Sequence, residues 1–387
     1  VTVVDRDPEG DRASFGNAGA IAQPEIMPLP VPGVARRVPG YLLDPLGPLS
    51  IRLGYAWRLW PYLSRFLAAA TPERYAAGAT AMAALLATAF EDHGAILQES
   101  GLGHLLKKEG HLWVYRSEAA RDAARGEWEL RERLGFHCEA LDREGVSRFE
   151  PALGPAAHCG YRTADWGHYA DPKALVLGLM DHLRDRGVAF RRGEIFDIEI
   201  KEERPTAVYS RNEARFPFDN LIIAAGAWSH HLSNRLGDYC PLETERGYNT
   251  TLPDPGVSVN NMVTFAEDHF VVTPMAMGLR VGGAVEFAGL TAPPNYRRCR
   301  ALLTLAGQYL PGLNPAGGTE WMGHRLSTPD SLPVIDRSQR FENVYYAFGH
   351  GHLGLTGSAT TGRLIAALVR GEDPGLDLAP FRIGRFE

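Results

Sequence analysis

Residues 343–371, NVYYAFGHGHLGLTGSATTGRLIAALVRG, leave few folds open to this chain. The run 343–348 is short, apolar and aromatic, which suits a buried strand. Glycines at 349, 351, 354 and 357 make a turn, residues 358–369 take on helical periodicity, and Gly371 stands where a helix C-cap is expected. A strand passing through a glycine turn into a helix aims free backbone N–H groups and the positive end of a dipole at one spot. Such a spot suits an anion or an electron-rich ring. Upstream, Gly323-His324-Arg325 and Ser327-Thr328-Pro329-Asp330 lead into Leu332-Pro333-Val334-Ile335, so Arg325 lies a short loop from the turn. Locally, it reads equally as a clamp for a carboxylate or as half of a structural ion pair.

The chain opens in a strand-like run, Val1-Thr2-Val3-Val4-Asp5. The second strand of a dinucleotide-binding βαβ unit ends in this way, its acid accepting hydrogen bonds from a ribose. On that reading the first strand, its G-x-G-x-x-G turn and the first helix are expected outside this sequence. An edge strand with a solvated Asp5 is the plain alternative. Residues 14–19, SFGNAG, form a small-residue loop in which Ser14 and Asn17 can hydrogen-bond a closely approaching ligand, or simply close a turn.

At 387 residues, two domains or one large mixed one are expected. Lys+Arg 40 against Asp+Glu 46 gives −6, which leaves no global basic field to recruit nucleic acid. Cys138, Cys159, Cys240 and Cys299 are far apart without C-x-x-C spacing, so neither a disulfide framework nor a zinc site is expected. No apolar run reaches the ~18 residues of a membrane span, and no signal peptide is apparent. A cytoplasmic protein is the expectation.

Residues 24–66 interleave prolines 24, 28, 30, 32, 39, 45, 48 and 61 with Leu29, Tyr41, Leu42, Leu43, Leu46, Trp57, Leu59, Trp60, Tyr62 and Phe66. The early part cannot be a long helix. Two readings compete for residues 29–66: an arm packed over the core, or a patch touching the inner face of a membrane. Arg36, Arg37, Arg52, Arg58 and Arg65 beside the aromatics suit the second. Thr71-Pro72-Glu73 starts a helix expected to run to about residue 100, with Tyr75, Ala79, Met82, Leu86 and Phe90 on one face. Residues 110–115 read as a strand, and 118–134 as a charged helix with a solvated face, capped by Ser117 and closed by Gly135. Asp171-Pro172 starts a further helix, with Leu175, Val176, Leu179, Met180 and Leu183 facing inward. Three short strands follow, and residues 218–229 read as a fully buried parallel strand ending at a glycine turn. From 241 to about 318 the pattern is β-rich, with a helix at 296–310.

Seven segments in order, VTVVD at 1–5, SFGNAG at 14–19, NLIIAAGAWS at 220–229, RGY at 246–248, RVGGAVE at 280–286, GHRLSTPDSLPVI at 323–335 and GHGHLGLT at 349–356, resemble the FAD-dependent amino-acid and amine oxidoreductases. That family includes glycine oxidase, sarcosine oxidase and D-amino acid oxidase, and the chain looks most similar to bacterial D-amino acid dehydrogenase. The resemblance implies an α/β fold, α+β in its second domain. A glutathione-reductase-type FAD-binding domain, incomplete at its N-terminus, would comprise 1–104, 141–235 and 321–387. A mixed-sheet substrate domain would comprise 105–140 and 236–320. It further implies that Asp5 holds the adenosine ribose and that Ser14, Asn17, Ala18 and Gly19 lie along the pyrophosphate and flavin. Ile195 would flank the adenine, Ala225 and Gly226 would pass beneath the cofactor, and Gly351, Leu353, Gly354 and Thr356 would offer amides to the flavin's pyrimidine end. Arg325 would bind the substrate carboxylate. His324 and Leu326 are departures from common family residues. No cysteine lies near the flavin motifs, so the FAD is expected to be non-covalent.

The reaction so implied is oxidative deamination of a D-amino acid. A hydride passes from Cα to flavin N5, the imino acid is hydrolysed to a 2-oxo acid and ammonia, and electrons go to a quinone or another acceptor. An O₂-using oxidase acting on glycine, sarcosine or another secondary amine is the near alternative. A flavin-less binding or scaffold protein is the distant one. Tyr248 and His269 are candidates to line the substrate pocket, against a core tyrosine and a surface histidine. His350 and His352, at i and i+2 without a spaced third ligand, read as turn residues with incidental side chains rather than a metal pair, so no metal is expected. No G-x-S-x-G elbow points to a hydrolase.

Overall fold

The computed structural model describes residues 1–9, 13–44 and 46–386; Pro45 lies outside them. The strands that position the site are β1 (Thr2–Asp5), β2 (Ala189–Arg192), β3 (Leu221–Ile223), β4 (Glu243–Leu252), β5 (Gly278–Phe287), β6 (Thr319–Ser327), β7 (Val334–Arg337) and β8 (Val344–Phe348). The helices used below are α1 (Val34–Leu43), α2 (Ala56–Ala69), α3 (Pro72–Leu86), α4 (Ala89–Ser100), α5 (Arg297–Tyr309) and α6 (Ser358–Arg370).

β8 pairs in parallel with β3 and antiparallel with β7, which makes a three-stranded sheet. β1 pairs in parallel with β2, Asp5 opposite Arg192. The ends of β1 and β3 converge, because the Arg6 guanidinium lies 3.5 Å over the Trp228 ring. The expected full burial of the 218–229 strand does not hold. β3 is an edge strand of three residues, and Ile222 is 48% exposed while only Ile223 is buried. A meander (Ile195–Lys201, Arg204–Ser210, Arg215–Pro217) and a small sheet of Ala20–Ala22, Trp166–Tyr169 and Leu106–Lys107 flank these.

The larger sheet has nine strands. β6, β4 and β5 run antiparallel, then Phe270–Met275, Met262–Phe265, His111–Tyr115, Cys159–Thr163 and Cys138–Leu141 continue it, and Leu49–Ile51 pairs onto β5. It includes Cys159–Thr163 and, from Trp321 on, β6, which the expected division placed in the other domain. One face of β4 and β5 packs on α5 through Tyr248, Leu252, Leu279, Val281, Cys299, Leu302 and Ala306. Burying each such large apolar side chain contributes about 1.5–3 kcal/mol, so this face is fixed by packing.

Local sequence explains most helices. Thr71 accepts from Arg74 N, with Pro72 at the first helical position, and α6 ends at Gly371 in the left-handed region, φ 70°. The helix expected to run to about residue 100 breaks at Ala87-Thr88 into α3 and α4. The charged helix likewise divides at Ala124, and its Arg131 is buried, donating to Pro24 O and lying over Trp128, instead of joining a solvated face. Leu183, expected inside, is exposed. In residues 24–66, α1 and α2 are short and each contains a proline, at Pro39 and Pro61. Leu59 and Tyr62 of α2 are buried, whereas Trp57 and Leu53 are 71% and 93% exposed. Part of this stretch therefore packs over the core, and part of it is exposed. No helix among the described residues is long and apolar enough to cross a membrane.

Candidate active site

The pleat of β4 sends alternate side chains to opposite faces of the sheet. Arg246, Tyr248 and Thr250 point toward the α5 side; Glu245, Gly247 and Asn249 point the other way. The second face meets the 14–19 loop, since Asn249 Nδ2 donates to Gly16 O at 2.6 Å and Arg280 of β5 donates to Asn17 O at 2.6 Å. On β6 the same face carries Trp321, Gly323 and Arg325. The Trp321 indole lies over Gly323 and against Gly16, filling the space a Cβ at either glycine would need.

Arg325 stands directly opposite Glu245 in the β4–β6 register. Its guanidinium lies flat across Gly247, where an added Cβ would sit 2.3 Å from Nη2. Its hydrogen bond is to a carbonyl, Nη1 donating to Ala284 O at 3.2 Å. Ala284 turns that carbonyl toward it through a left-handed backbone, φ 57°, at an irregularity in the β4–β5 pairing. No carboxylate among the described residues comes within ion-pair distance of Arg325. Burial pulls its pKa down, and Glu245 pushes it back up. The result is a guanidinium with unspent donors facing a cleft, an arrangement suited to a planar anion.

The glycine turn closes the cleft from the other side. His350 bridges to Ser327 and donates or accepts at Thr361 Oγ1, 2.9 Å, according to its tautomer. His352 is surrounded by densely packed protein yet keeps an exposed side chain, in the fields of Arg325 and Glu245. Burial first, and Arg325 second, push its pKa down to about 4. Ser327 Oγ, beside Gly351, and Asn249 Oδ1 are buried without a hydrogen-bond partner among the described residues. Two orphaned polar atoms on either side of the cleft fit a ligand bearing both donors and acceptors, as a flavin ring does.

The remaining expected residues fall as follows. Asp5 ends β1, its Oδ1 accepting from Asp7 N at 2.8 Å. Ser14 is exposed and Asn17 Oδ1 accepts from Gly19 N at 2.6 Å. Ala18 packs on the core, and Gly19, φ 76°, receives Tyr169 N on its carbonyl. Ile195 begins the meander. Ala225 and Gly226 are exposed at the end of β3. Leu353 N already donates to His350 O at 2.9 Å, and the Thr356 hydroxyl is held between Ala20 O and Ala22 N.

Two pocket candidates lie elsewhere. Tyr248 is on the α5 face, fully buried, its OH donating to Glu286 Oε2 at 2.5 Å and accepting from Asn295 N at 3.0 Å. Register puts it opposite Gly283 and Met322, away from the Arg325 face. His269 occupies the tight hairpin before Phe270 with φ 53°, its ring edge-on to Tyr41 and surrounded by Asp268 and Arg37. None of these surrounds Arg325. Glu245, which the sequence analysis did not single out, stands opposite Arg325 on the same face. The available signal was the spacing of Glu245, Gly247 and Asn249 at alternate positions of a β-rich stretch, which places them on one face.

A family profile described as FAD dependent oxidoreductase (DAO) matches residues 1–368. The chain is 36% identical over its whole length to a D-amino-acid oxidase of Bradyrhizobium diazoefficiens, covering 93% of that protein. It is 29% identical, again over its whole length, to a D-amino acid dehydrogenase of Sinorhizobium medicae, covering 94%. The fold is similar to that of glycine oxidase from Geobacillus kaustophilus, with a TM-score of 0.72 at 18% identity, covering 99% of this chain and 91% of that one.

Proposed function

The chain belongs to the DAO family of FAD-dependent oxidoreductases, and from that premise we propose that it oxidatively deaminates a D-amino acid and passes the electrons to a quinone. The observation that carries the reading is Arg325, a guanidinium recessed in the cleft, without an ion-pair partner among the described residues and laid flat over Gly247.

Arg325 takes the substrate carboxylate with two parallel hydrogen bonds and so fixes which Cα–H faces the cofactor. His352, neutral at pH 7 because its pKa is near 4, adds no second positive charge beside it. The flavin, when bound, accepts the hydride from Cα. Asp5 would hold its ribose, Ile195 would flank its adenine, Ser14, Asn17, Ala18 and Gly19 would line its length, and Ala225 and Gly226 would pass beneath it. At the pyrimidine end Gly351 and Gly354 carry the contact, because the Leu353 amide and the Thr356 hydroxyl are already engaged; Thr356 offers its amide alone. The division into a flavin-binding unit and a substrate unit built on the β4–β6 face is part of the same reading.

The quinone finds support in the exposed apolar and basic surface of α1 and α2. Leu43, Leu53, Trp57 and Trp60 project beside Arg36, Arg37 and Arg58, which suits a peripheral membrane contact. The 36% identity to a protein named an oxidase supports a second reading, with O₂ as acceptor. Purified protein should show a flavin absorbance band and reduce a quinone analogue with D-amino acids; dominant peroxide release in air moves the assignment to an oxidase, and no flavin ends both. Trp57→Ala with Trp60→Ala should abolish co-sedimentation with anionic vesicles, and unchanged sedimentation removes the membrane contact.

A further inference from the structure

Glu245 is 4% exposed, yet neither of its carboxylate oxygens receives a hydrogen bond or an ion pair among the described residues. Its neighbour two residues back shows the ordinary solution. Glu243 accepts from Tyr55 OH at 2.9 Å and from Thr244 N at 2.8 Å. A buried carboxylate left without a partner is costly, and the cost is removed by pairing or by a ligand. Arg325 stands opposite it on the neighbouring strand, where side chains of a cross-strand pair normally reach each other. The two charges nevertheless stay beyond ion-pair distance, because the guanidinium is drawn across Gly247 toward Ala284 O. A recessed cation and a recessed anion, held apart on one cleft face, are complementary to a zwitterion whose two charged groups are carried by one carbon.

We propose that Glu245 receives the α-ammonium group of the substrate and takes one proton from it, while Arg325 holds the carboxylate. This rests on the reading of Arg325 given above. One N–H bond of the ammonium breaks and one O–H bond forms on Glu245; the nitrogen lone pair freed is the one that hydride loss from Cα requires, and the protein is neither oxidised nor reduced. The proton returns to water when product leaves. The ionisable groups facing Glu245 are Arg325 from β6, His352 from the glycine turn, Tyr62 from α2 and Glu243 on its own strand. Tyr62 is held protonated by burial and by these carboxylates, and His352 is held neutral, so neither competes for the ammonium proton near pH 7.

The test compares two probes that cannot be oxidised, 2-aminoisobutyrate and isobutyrate, identical except for the amine. Each is titrated calorimetrically into the flavin-loaded protein and into its Glu245→Gln, Glu245→Asp and Arg325→Met variants. The unmodified protein should prefer the aminated probe at least tenfold. Glu245→Gln should bring the two to parity with no fall in melting temperature, and Glu245→Asp should restore part of the preference. With turnover substrates, kcat/KM of Glu245→Gln should climb about tenfold per pH unit toward the substrate amine pKa, a slope absent from the unmodified protein. A preference that survives Glu245→Gln overturns the proposal and leaves the carboxylate clamp standing. So does a loss confined to substrates with a cationic side chain. If Arg325→Met keeps both probes, the clamp itself fails, whatever Glu245 does.

Discussion

The two faces of β4 carry the same charged residue types and treat them oppositely. On the α5 face, Arg246 donates to Gly289 O at 2.6 and 2.9 Å and to Pro293 O at 3.2 Å, and lies 3.6 Å from Glu286. Glu286 in turn accepts from Tyr248 OH and pairs with Arg52 at 3.2 Å. Arg246 and Glu286 there are each answered by several groups of the protein. On the cleft face, among the described residues, Arg325 has one carbonyl and Glu245 has no hydrogen-bond or ion-pair partner. A saturated buried network holds a structure together, whereas an unsaturated one holds a place for a ligand.

The largest expected effect separates the faces by function. Arg325→Ala should raise KM for carboxylate substrates by about a hundred- to a thousand-fold, or ~3–4 kcal/mol, while thermal melting shows no loss. An unchanged KM would falsify the assignment of this face to substrate. Arg246→Met should do the reverse. It leaves Glu286 buried with one cation fewer, costing about 3–5 kcal/mol by denaturant titration, with KM little altered in whatever protein folds; a stability unchanged from the parent would erase the contrast. Tyr248→Phe, which removes one hydrogen bond to Glu286 and the acceptor for Asn295 N, should cost about 1–3 kcal/mol and leave kcat and KM within twofold. A large KM effect there would return Tyr248 to the pocket.

The smallest effect is a pH slope shared by both faces. His350 and His352 in the glycine turn, and His324 on the opposite face of β6, have pKa values near 4 in the folded chain, chiefly through burial. Unfolded, each titrates near 6.5. The unfolded chain therefore binds more protons between these values. The stability contribution is whole above pH 6.5, is lost as pH falls toward 4 and declines no further below it. Melting curves across this range should show the decline, and His352→Asn should flatten it; an equally steep curve in the variant would mean that His352 is not neutral in the fold.

Much of the site was legible in the sequence because it is locally encoded. The strand, glycine turn and helix at 343–371 announce themselves by aromatic alternation, glycine spacing and 3.6-residue periodicity, and the structure has β8, the turn and α6 there. Arg325 was legible as a candidate because it stands in the segment GHRLSTPDSLPVI at 323–335, whose resemblance to the family implies a carboxylate ligand there. The caps at Thr71, Ser117 and Asp171 were legible for the same local reason. The exposure of Ile222 was not, because a run of apolar residues carries no information about which neighbour is beside it.

What the sequence by itself determined, then, is where strands, turns and helices form and which residue types the cleft has available. Only the tertiary structure decided which of them meet. Tyr248 and Gly247 are adjacent in the chain and on opposite faces of the sheet, and nothing but the pairing of β4 with β5 and β6 says which face looks at the 14–19 loop. A slip of one residue in that pairing would exchange the faces, burying Glu245 against α5 and turning Tyr248 toward the cleft. Register is set by packing summed over the whole sheet, so the unpaired charges of Arg325 and Glu245 become visible only once that sum has been made.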